Sequence, residues 1–319
     1  MSGYTVVARI GEPLASPART REPERGTLRT AVVQQRFHED PATHEAALAE
    51  GVEIAARHGA RIVFLQELTL SPYLGIMEGA KEEAARRREP LLDGPTAHFA
   101  ERLARTLGIF VHASLYEQVE DDPERGFNTA ICVSPDGEVV VRGRKLHIPD
   151  TPGYYEGQYF RPGDTGFQIA PIAGARVGFP TCWDQWFPEV ARAFALDGAD
   201  VIAYPTAIGS EPDHPEFDTQ PIWQQVIRAN GIANGTFMVA INRIGEEGGT
   251  TFYGSSFISD PYGRVLVEAP RDRAAVLVAD LDLDQRRDWL ELFPLLDARR
   301  PELYDRLMGD ARQGATAAS

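Results

Sequence analysis

The chain passes from an apolar strand to the start of a helix through Val177-Gly178-Phe179-Pro180-Thr181-Cys182-Trp183-Asp184. This pattern places Cys182 on the turn between the two elements. A nucleophile on such a turn is held in the open, and nearby backbone N–H groups point towards its substrate. A helix N-terminus also lowers the pKa of a thiol. The stretch therefore predicts that Cys182 is a nucleophile, with a small buried core thiol as the alternative. We interpret Cys132, which lies inside an apolar strand, as such a core thiol.

Strands and helices alternate on both sides of this turn. In the second half, the apolar periodicity predicts strands at 176–179, 201–204, 236–241, 257–259, 264–267 and 275–281, with helices at 187–197 and 222–233. In the first half, it predicts strands at 31–33, 62–65, 109–115, 129–133 and 138–141, with helices at 41–58 and 95–107. Both halves therefore follow the order β-α-β-α-β and then a hairpin, whose turns are Ser134-Pro135-Asp136-Gly137 and Asp260-Pro261-Tyr262-Gly263.

This repeated order predicts the fold class. Helices that alternate with strands need a sheet to cover, and no Ser/Gly/Pro-rich linker separates the two halves. Two equivalent halves packed sheet on sheet, with the helices outside, bury both sheets in a single domain. We therefore predict an α/β protein, a four-layer α-β-β-α sandwich with an internal pseudo-two-fold repeat, over residues 30–285.

The two ends of the chain differ from this domain. Residues 1–29 contain five arginines and three glutamates around prolines, without apolar periodicity, and we predict a flexible N-terminal extension. A basic transit peptide is the alternative, although the glutamates count against it. Residues 286–319 alternate acids and bases but carry an apolar cluster, so we expect this tail to pack on the domain or on a neighbouring subunit of a homo-oligomer.

Composition excludes several classes of partner and location. The 32 Lys and Arg residues against 47 Asp and Glu residues give a net charge of −15, which argues against nucleic acid and anionic membranes as partners. No stretch approaches the roughly 18–20 apolar residues of a membrane span. Two cysteines form no disulfide framework and no signal peptide opens the sequence, so we expect a cytoplasmic protein.

Two further strand ends carry charged side chains. Glu67 follows the apolar strand that contains Phe64 and Leu65, where a carboxylate is costly unless it is paired or functional; a structural ion pair is the alternative. Lys145 lies in Gly143-Arg144-Lys145-Leu146-His147, where a solvated hairpin end is the alternative.

Glu67, Lys145 and Cys182, each at the end of a strand, make the sequence resemble the nitrilase, or carbon–nitrogen hydrolase, superfamily from about residue 30 to 306. Within it, the sequence is most similar to the N-carbamoylputrescine amidohydrolases. The segments that carry this closer similarity are Lys-Leu-His-Ile-Pro-Asp (145–150), Pro-Gly-Asp-Thr-Gly-Phe (162–167), Cys-Trp-Asp-Gln-Trp-Phe-Pro-Glu (182–189), Tyr-Pro-Thr-Ala-Ile-Gly-Ser-Glu-Pro (204–212) and Asn-Arg-Ile-Gly (242–245). The sequence departs from the family pattern at Phe179-Pro180-Thr181, where small or β-branched apolar residues are usual.

The resemblance implies hydrolysis of a non-peptide C–N bond through a cysteine thioester, without metal or cofactor. Cys182 would be the nucleophile, Glu67 the proton carrier, and Lys145 with the backbone N–H of Trp183 the stabiliser of the oxyanion. The resemblance also implies a second catalytic glutamate, Glu156, and a pocket tyrosine, Tyr73. A solvated loop carboxylate and a packing role are the respective alternatives.

The sequence leaves two classes of substrate, carbamoyl amines and other amides. Relatives that act on N-carbamoyl-D-amino acids carry an arginine pair after the cysteine, whereas this chain has Gln185-Trp186. We expect Trp183, Trp186 and Glu211 to bind substrate, with Glu211 facing a cationic amine; an exposed acidic loop is its alternative. N-carbamoylputrescine is the favoured substrate. N-carbamoyl-β-alanine, as for a β-ureidopropionase, or an aliphatic amide is the runner-up, and nitrile hydrolysis or a non-catalytic binding role is less favoured.

Overall fold

The computed structural model describes residues 3–211, 213–214 and 216–309. Three parts of the expectations above lie outside the described residues: residues 1–2 of the N-terminal extension, Pro212 and Pro215 beside the acidic loop, and residues 310–319 of the tail.

The helices and strands follow the order that the periodicity predicts, with some additional elements. The helices are α1 (Pro41–Arg57), α2 (Lys81–Arg87), α3 (Pro95–Leu107), α4 (Pro188–Leu196), α5 (Gln220–Asn234) and α6 (Asp284–Leu292). The strands are β1 (Thr5–Arg9), β2 (Thr27–Gln34), β3 (Ile62–Phe64), β4 (Phe110–Glu117), β5 (Phe127–Val133), β6 (Val139–Arg144), β7 (Asp150–Thr151), β8 (Tyr154–Tyr155), β9 (Ile169–Ile172), β10 (Ala175–Gly178), β11 (Val201–Pro205), β12 (Phe237–Ile241), β13 (Ile244–Glu247), β14 (Thr250–Tyr253), β15 (Phe257–Ser259), β16 (Val265–Glu268) and β17 (Ala275–Asp282). Over the described ranges, we find no helix with the length and apolar character that a membrane crossing requires.

Two sheets contain the repeated order. One has the strand order β1-β17-β2-β3-β4-β5-β6 and the other β16-β15-β12-β11-β10-β9. In the first sheet, β2, β3 and β4 pair in parallel and continue into the antiparallel hairpin β5–β6. In the second, β10, β11 and β12 pair in parallel and continue antiparallel into β15–β16. The predicted pseudo-two-fold repeat is therefore confirmed.

The packing of apolar side chains defines four layers. Phe64 of the first sheet and Val239 of the second are fully buried in one cluster between the two sheets. On the outer face of the first sheet, α1 and α3 bury Leu48 and Leu103. On the outer face of the second sheet, α4 and α5 bury side chains that include Trp223. The predicted α-β-β-α sandwich is thus confirmed.

The predicted flexible extension at residues 1–29 is wrong for residues 3–29. β1 pairs in parallel with β17, with Thr5 opposite Ala275 and Arg9 opposite Ala279. Farther along, the Arg25 guanidinium bonds to the Asp200 carboxylate at 2.7 and 2.8 Å. A short edge strand buries only one half of its surface and binds through its backbone, so its side chains carry little apolar periodicity.

The C-terminal segment packs on its own domain over α6. The indole N–H of Trp289 donates to the carbonyl of Ile232 at 2.8 Å, and its ring lies 5.3 Å from that of Tyr262. The predicted boundary between residues 285 and 286 falls inside α6, because the chain turns into this helix directly after β17.

Candidate active site

Cys182 lies at a tight turn after β10. Its backbone adopts a left-handed conformation with φ of 44°, and a short 3-10 helix, Cys182–Trp186, precedes α4. Gly178 is the last residue of β10 that pairs with β9, so Pro180 lies beyond the ladder and removes no strand hydrogen bond. Phe179 packs between the sheets against Phe64. The unusual Phe179-Pro180-Thr181 segment is therefore accommodated by the inter-sheet core.

Three charged side chains meet beside this turn. The Lys145 ammonium lies 2.9 Å from Oε1 of Glu67 and 2.6 and 2.8 Å from the two carboxylate oxygens of Glu156. All three side chains are fully buried. Glu67 follows β3 and Lys145 follows β6 of the same sheet, and Glu156 begins a 3-10 helix between the two halves. The fold thus brings Glu67 beside Lys145, which lies 78 residues later in the sequence, and beside Glu156, which lies 11 residues beyond Lys145.

The two oxygens of the Glu67 carboxylate have different surroundings. Oε1 accepts hydrogen bonds from Lys145 and from the side-chain amide of Asn128 at 2.7 Å. Oε2 is buried and has no hydrogen-bond partner within the described part of the chain. Asn128 was missed in the sequence, and its only local signal is a polar side chain inside the buried strand β5. One oxygen is therefore anchored while the other is free to take a proton.

Tyr73 and Glu156 form a second contact at the site. The Tyr73 hydroxyl donates to Oε1 of Glu156, and both side chains are buried. Burial, with the Glu156 carboxylate second, raises the pKa of Tyr73 well above its ordinary value. Tyr73 therefore remains a hydrogen-bond donor that helps to orient Glu156.

Burial and neighbouring charges set the protonation of the lysine and its partner. Burial alone would lower the pKa of Lys145, but the Glu156 and Glu67 carboxylates outweigh it and raise that pKa. Burial also raises the pKa of Glu156 towards neutrality, and Lys145 only partly offsets this effect. Lys145 is therefore a permanent cation.

The expected lowering of the thiol pKa is wrong. Burial, followed by the Glu67 carboxylate, raises the pKa of Cys182 well above its ordinary value, although Lys145 acts in the opposite direction. The turn after Cys182 is a 3-10 helix of five residues, so its dipole is weak against desolvation. The resting side chain is therefore a thiol, which needs a base.

Asp184 connects the cysteine turn to the lysine loop. Its buried carboxylate accepts from the backbone N–H of Thr181 at 3.0 Å and from those of Leu146 and His147 at 3.3 and 2.9 Å. It also contacts Nδ1 of His147 at 2.8 Å. Because Leu146 follows Lys145 directly, Asp184 fixes the lysine relative to the cysteine. Its role was missed, since a short acidic residue near a helix start is also an ordinary cap.

A cavity of about 310 Å³ opens onto Cys182. Its lining is mainly apolar and aromatic and includes Tyr73, Tyr154, Trp183, Trp186, Ile208, Glu211, His214, Phe217, Thr219 and Ile222. The structure thus places the four expected substrate-binding residues, Tyr73, Trp183, Trp186 and Glu211, in one cavity. Gln185 lies elsewhere, because its side chain accepts from the Trp223 indole at 2.9 Å.

Comparisons with known proteins give the family. The carbon–nitrogen hydrolase family model matches residues 29–291, and the chain belongs to this family. The N-carbamoylputrescine amidase of Solanum tuberosum is 39% identical over 286 residues, covering 87% of this chain and 94% of that protein. The citrullinase of Francisella tularensis subsp. tularensis is 36% identical over 285 residues, covering 88% and 98%.

A solved structure agrees with this assignment. The carbon–nitrogen hydrolase from Helicobacter pylori G27 superposes with a TM-score of 0.82 at 32% identity, covering 89% of this chain and 99% of that one. The resemblance inferred from the sequence motifs is therefore confirmed, and the chain is a hydrolase of the nitrilase superfamily.

Proposed function

We propose that this chain hydrolyses the ureido C–N bond of a carbamoyl amine such as N-carbamoylputrescine, through a thioester on Cys182. The observation that carries the chemistry is the asymmetric Glu67 carboxylate, anchored at Oε1 by Lys145 and Asn128 and unpartnered at Oε2 among the described residues. A buried thiol with a raised pKa needs such a free acceptor for its proton.

In the first half-reaction, Glu67 takes the thiol proton and the sulfur attacks the ureido carbonyl carbon. The negative charge on the carbonyl oxygen is stabilised by the Lys145 ammonium and the backbone N–H of Trp183. Glu67 then gives its proton to one nitrogen, which leaves as amine or ammonia. The remaining acyl group stays on Cys182 as a thioester.

In the second half-reaction, Glu67 takes a proton from water, whose oxygen attacks the thioester carbon. The thiolate leaves and recovers its proton from Glu67. When ammonia leaves first, the product is the N-substituted carbamate; when the amine leaves first, it is carbamate itself. Either product breaks down to carbon dioxide and the second nitrogen compound, so one water is consumed per ureido group.

Glu211 is the basis for choosing a cationic substrate. Burial raises the pKa of Glu211, and its carboxylate accepts a hydrogen bond from the Thr219 hydroxyl at 3.4 Å. No Lys or Arg occurs among the described residues that line the cavity. A carboxylate at an apolar cavity is stabilised by a cationic group, whereas a substrate carboxylate would meet like charge. An aliphatic stem that ends in an ammonium group fits this lining.

A ureido amino acid such as citrulline is a second candidate. It carries a carboxylate beside its amine, and His214 lines the same cavity as Glu211. His214 would face the carboxylate while Glu211 faces the amine. This candidate is also favoured by the similarity to the Francisella citrullinase.

Ammonia release measured on a panel of equal concentrations tests the proposal. The panel contains N-carbamoylputrescine, citrulline, N-carbamoyl-β-alanine, an aliphatic amide and an aliphatic nitrile. We expect the highest kcat/KM with N-carbamoylputrescine. The highest value with N-carbamoyl-β-alanine would contradict the amine assignment and favour the runner-up.

We also propose that the protein is cytoplasmic and forms a homo-oligomer. Both cysteines of the chain, Cys132 and Cys182, are free and buried, as suits a reducing compartment. Apolar side chains remain exposed near the end of the described residues, among them Phe293 and Leu307. A second subunit would cover them.

A further inference from the structure

Arg243 is fully buried and belongs to the Asn-Arg-Ile-Gly segment that follows β12. Its Nη2 group donates to the carbonyl of Glu67 at 2.5 Å, to that of Leu68 at 3.3 Å and to that of Ser71 at 3.5 Å. The second sheet thereby reaches across to the loop that carries Glu67 on the first sheet. Leu68 has a positive φ of 48°, a backbone conformation that a non-glycine residue adopts only when its surroundings hold it.

Glu247 completes the contact from the other side of the guanidinium. Its carboxylate lies 2.7 and 3.0 Å from Nη1 of Arg243, and it also accepts from the backbone N–H of Tyr73 at 2.8 Å. The Arg243 guanidinium stacks 5.9 Å from the centre of the Tyr73 ring. Because Tyr73 donates to Glu156, the Arg243–Glu247 pair supports the elements behind both carboxylates of the site.

The residue before Arg243 supports the cysteine side. Asn242 accepts from the backbone N–H of Ile208 at 3.0 Å and donates to its carbonyl at 2.9 Å. Ile208 and the neighbouring Ala207 line the cavity together with Cys182. Asn242 and Arg243, the two residues between β12 and β13, therefore hold the loop beside Cys182 and the Glu67 loop respectively.

We propose that Arg243 and Glu247 form a positioning pair that sets the placement of the Glu67 carboxylate relative to the Cys182 thiol. This inference rests on the proposed function, in which Glu67 takes the thiol proton. The two Nη groups of a guanidinium bond the carbonyls on one side and the carboxylate on the other, a separation that the single nitrogen of an ammonium group does not span. Without the guanidinium, the strained Glu67–Leu68 loop can relax. The Glu67 carboxylate is then placed to take the Cys182 thiol proton in a smaller fraction of the molecules.

The test compares Arg243→Lys with a matched control, Arg286→Lys. Arg286 is also largely buried and donates to three carbonyls, those of Ala195, Asn234 and Gly235, none of which lines the cavity. Two readouts are needed below the melting temperature of each variant: kcat and KM for ammonia release from N-carbamoylputrescine, and the rate of Cys182 alkylation by iodoacetamide across pH.

For Arg243→Lys we expect kcat to fall about 10- to 100-fold with KM within about threefold of wild type, because the contact acts on the reacting groups and not on binding. Alkylation should slow at neutral pH and recover only at higher pH, since the thiol has lost its base. Arg286→Lys should lower the melting temperature and leave both readouts unchanged.

A folded Arg243→Lys with wild-type kcat and alkylation would overturn the proposal, and so would equal kinetic losses in Arg286→Lys. Should Arg243→Lys fail to fold, Glu247→Gln serves in its place, since its amide oxygen still accepts from Tyr73; the same lowered kcat and slowed alkylation are expected, and wild-type values would count against the pair. If wild type releases no ammonia from the panel, the proposed function fails, while the alkylation rates still decide the role of Arg243.

Discussion

At the scale of single residues, the thiol of Cys182 combines burial with a strained backbone. It is 4% exposed and its pKa is raised by burial and by the nearby Glu67 carboxylate. A thiol that stays protonated at rest resists oxidation and metal capture, because both require thiolate. The proposed reaction therefore starts only when a base accepts the proton.

Replacing Cys182 separates the nucleophile from the rest of the site. We expect Cys182→Ala and Cys182→Ser to lose ammonia release, because alanine has no nucleophile and a serine hydroxyl is a much weaker acid than a thiol. Both variants should keep the wild-type circular dichroism spectrum, because the replaced side chain is small. Cys132→Ala is the control: this side chain lies in the inter-sheet core, so only the melting temperature should fall. Turnover by Cys182→Ala would contradict the mechanism.

Glu156 predicts a pH dependence of stability. Because burial raises its pKa in the folded state, the folded protein holds a proton that the unfolded chain has released, between the usual carboxyl range and about pH 7. Its contribution to the free energy of unfolding is present below that window and falls as pH rises through it. Urea unfolding should therefore show that the free energy of unfolding of wild type falls relative to that of Glu156→Gln as pH rises through this window. We expect this relative fall to be about 1–3 kcal/mol. A difference that is independent of pH would refute the shift.

Glu211 is expected to act on binding of the distal substrate group. Glu211→Gln should raise KM for N-carbamoylputrescine by roughly tenfold and change kcat little, since a contact remote from the reacting carbonyl is mostly uniform binding. The matched measurement is an uncharged N-alkyl urea of similar length, whose KM should not change. An equal rise in KM for both substrates would show that Glu211 does not distinguish a cationic substrate from an uncharged one.

At the scale of elements, β1 turns the start of the chain into an edge of the first sheet. Its side chains alternate: Val7 packs against the inter-sheet core, whereas Val6 is 40% exposed. Val7→Asp should lower the free energy of unfolding by roughly 2 kcal/mol, because it places a charge against apolar neighbours. Val6→Asp is its control and should change stability little. Chemical unfolding that gives equal values for both would argue against the observed pairing.

At the scale of the whole molecule, the exposed apolar residues near the end of the described chain predict self-association. Phe293 and Leu307 are 48% and 64% exposed. Sedimentation velocity should show an oligomer for wild type and smaller species for the double variant Phe293→Asp/Leu307→Asp, since charge on an apolar interface is costly to bury. Val140→Asp, at a single exposed apolar position on β6, is the control and should sediment like wild type. A monomeric wild type would contradict the proposal.

Local periodicity by itself determined most of the parallel core. The spacing of apolar residues predicted β2 to β6, β10 to β12 and the helices that cover them, because amphipathic periods are properties of short segments. The repeat of this order predicted the sandwich. Motifs at three strand ends also identified Glu67, Lys145 and Cys182 and the family of the chain.

Tertiary structure decided what depends on contacts between distant segments. The pairing of β17 with β2 and of β1 with β17 joins the two ends of the chain, and no local pattern contains that information. Burial reversed the expected pKa shift of Cys182, because desolvation depends on the surrounding fold and outweighs a short helix. The contacts of Asp184 and Arg243 cross between loops for the same reason: their partners are mainly backbone groups, which have no signature in the sequence.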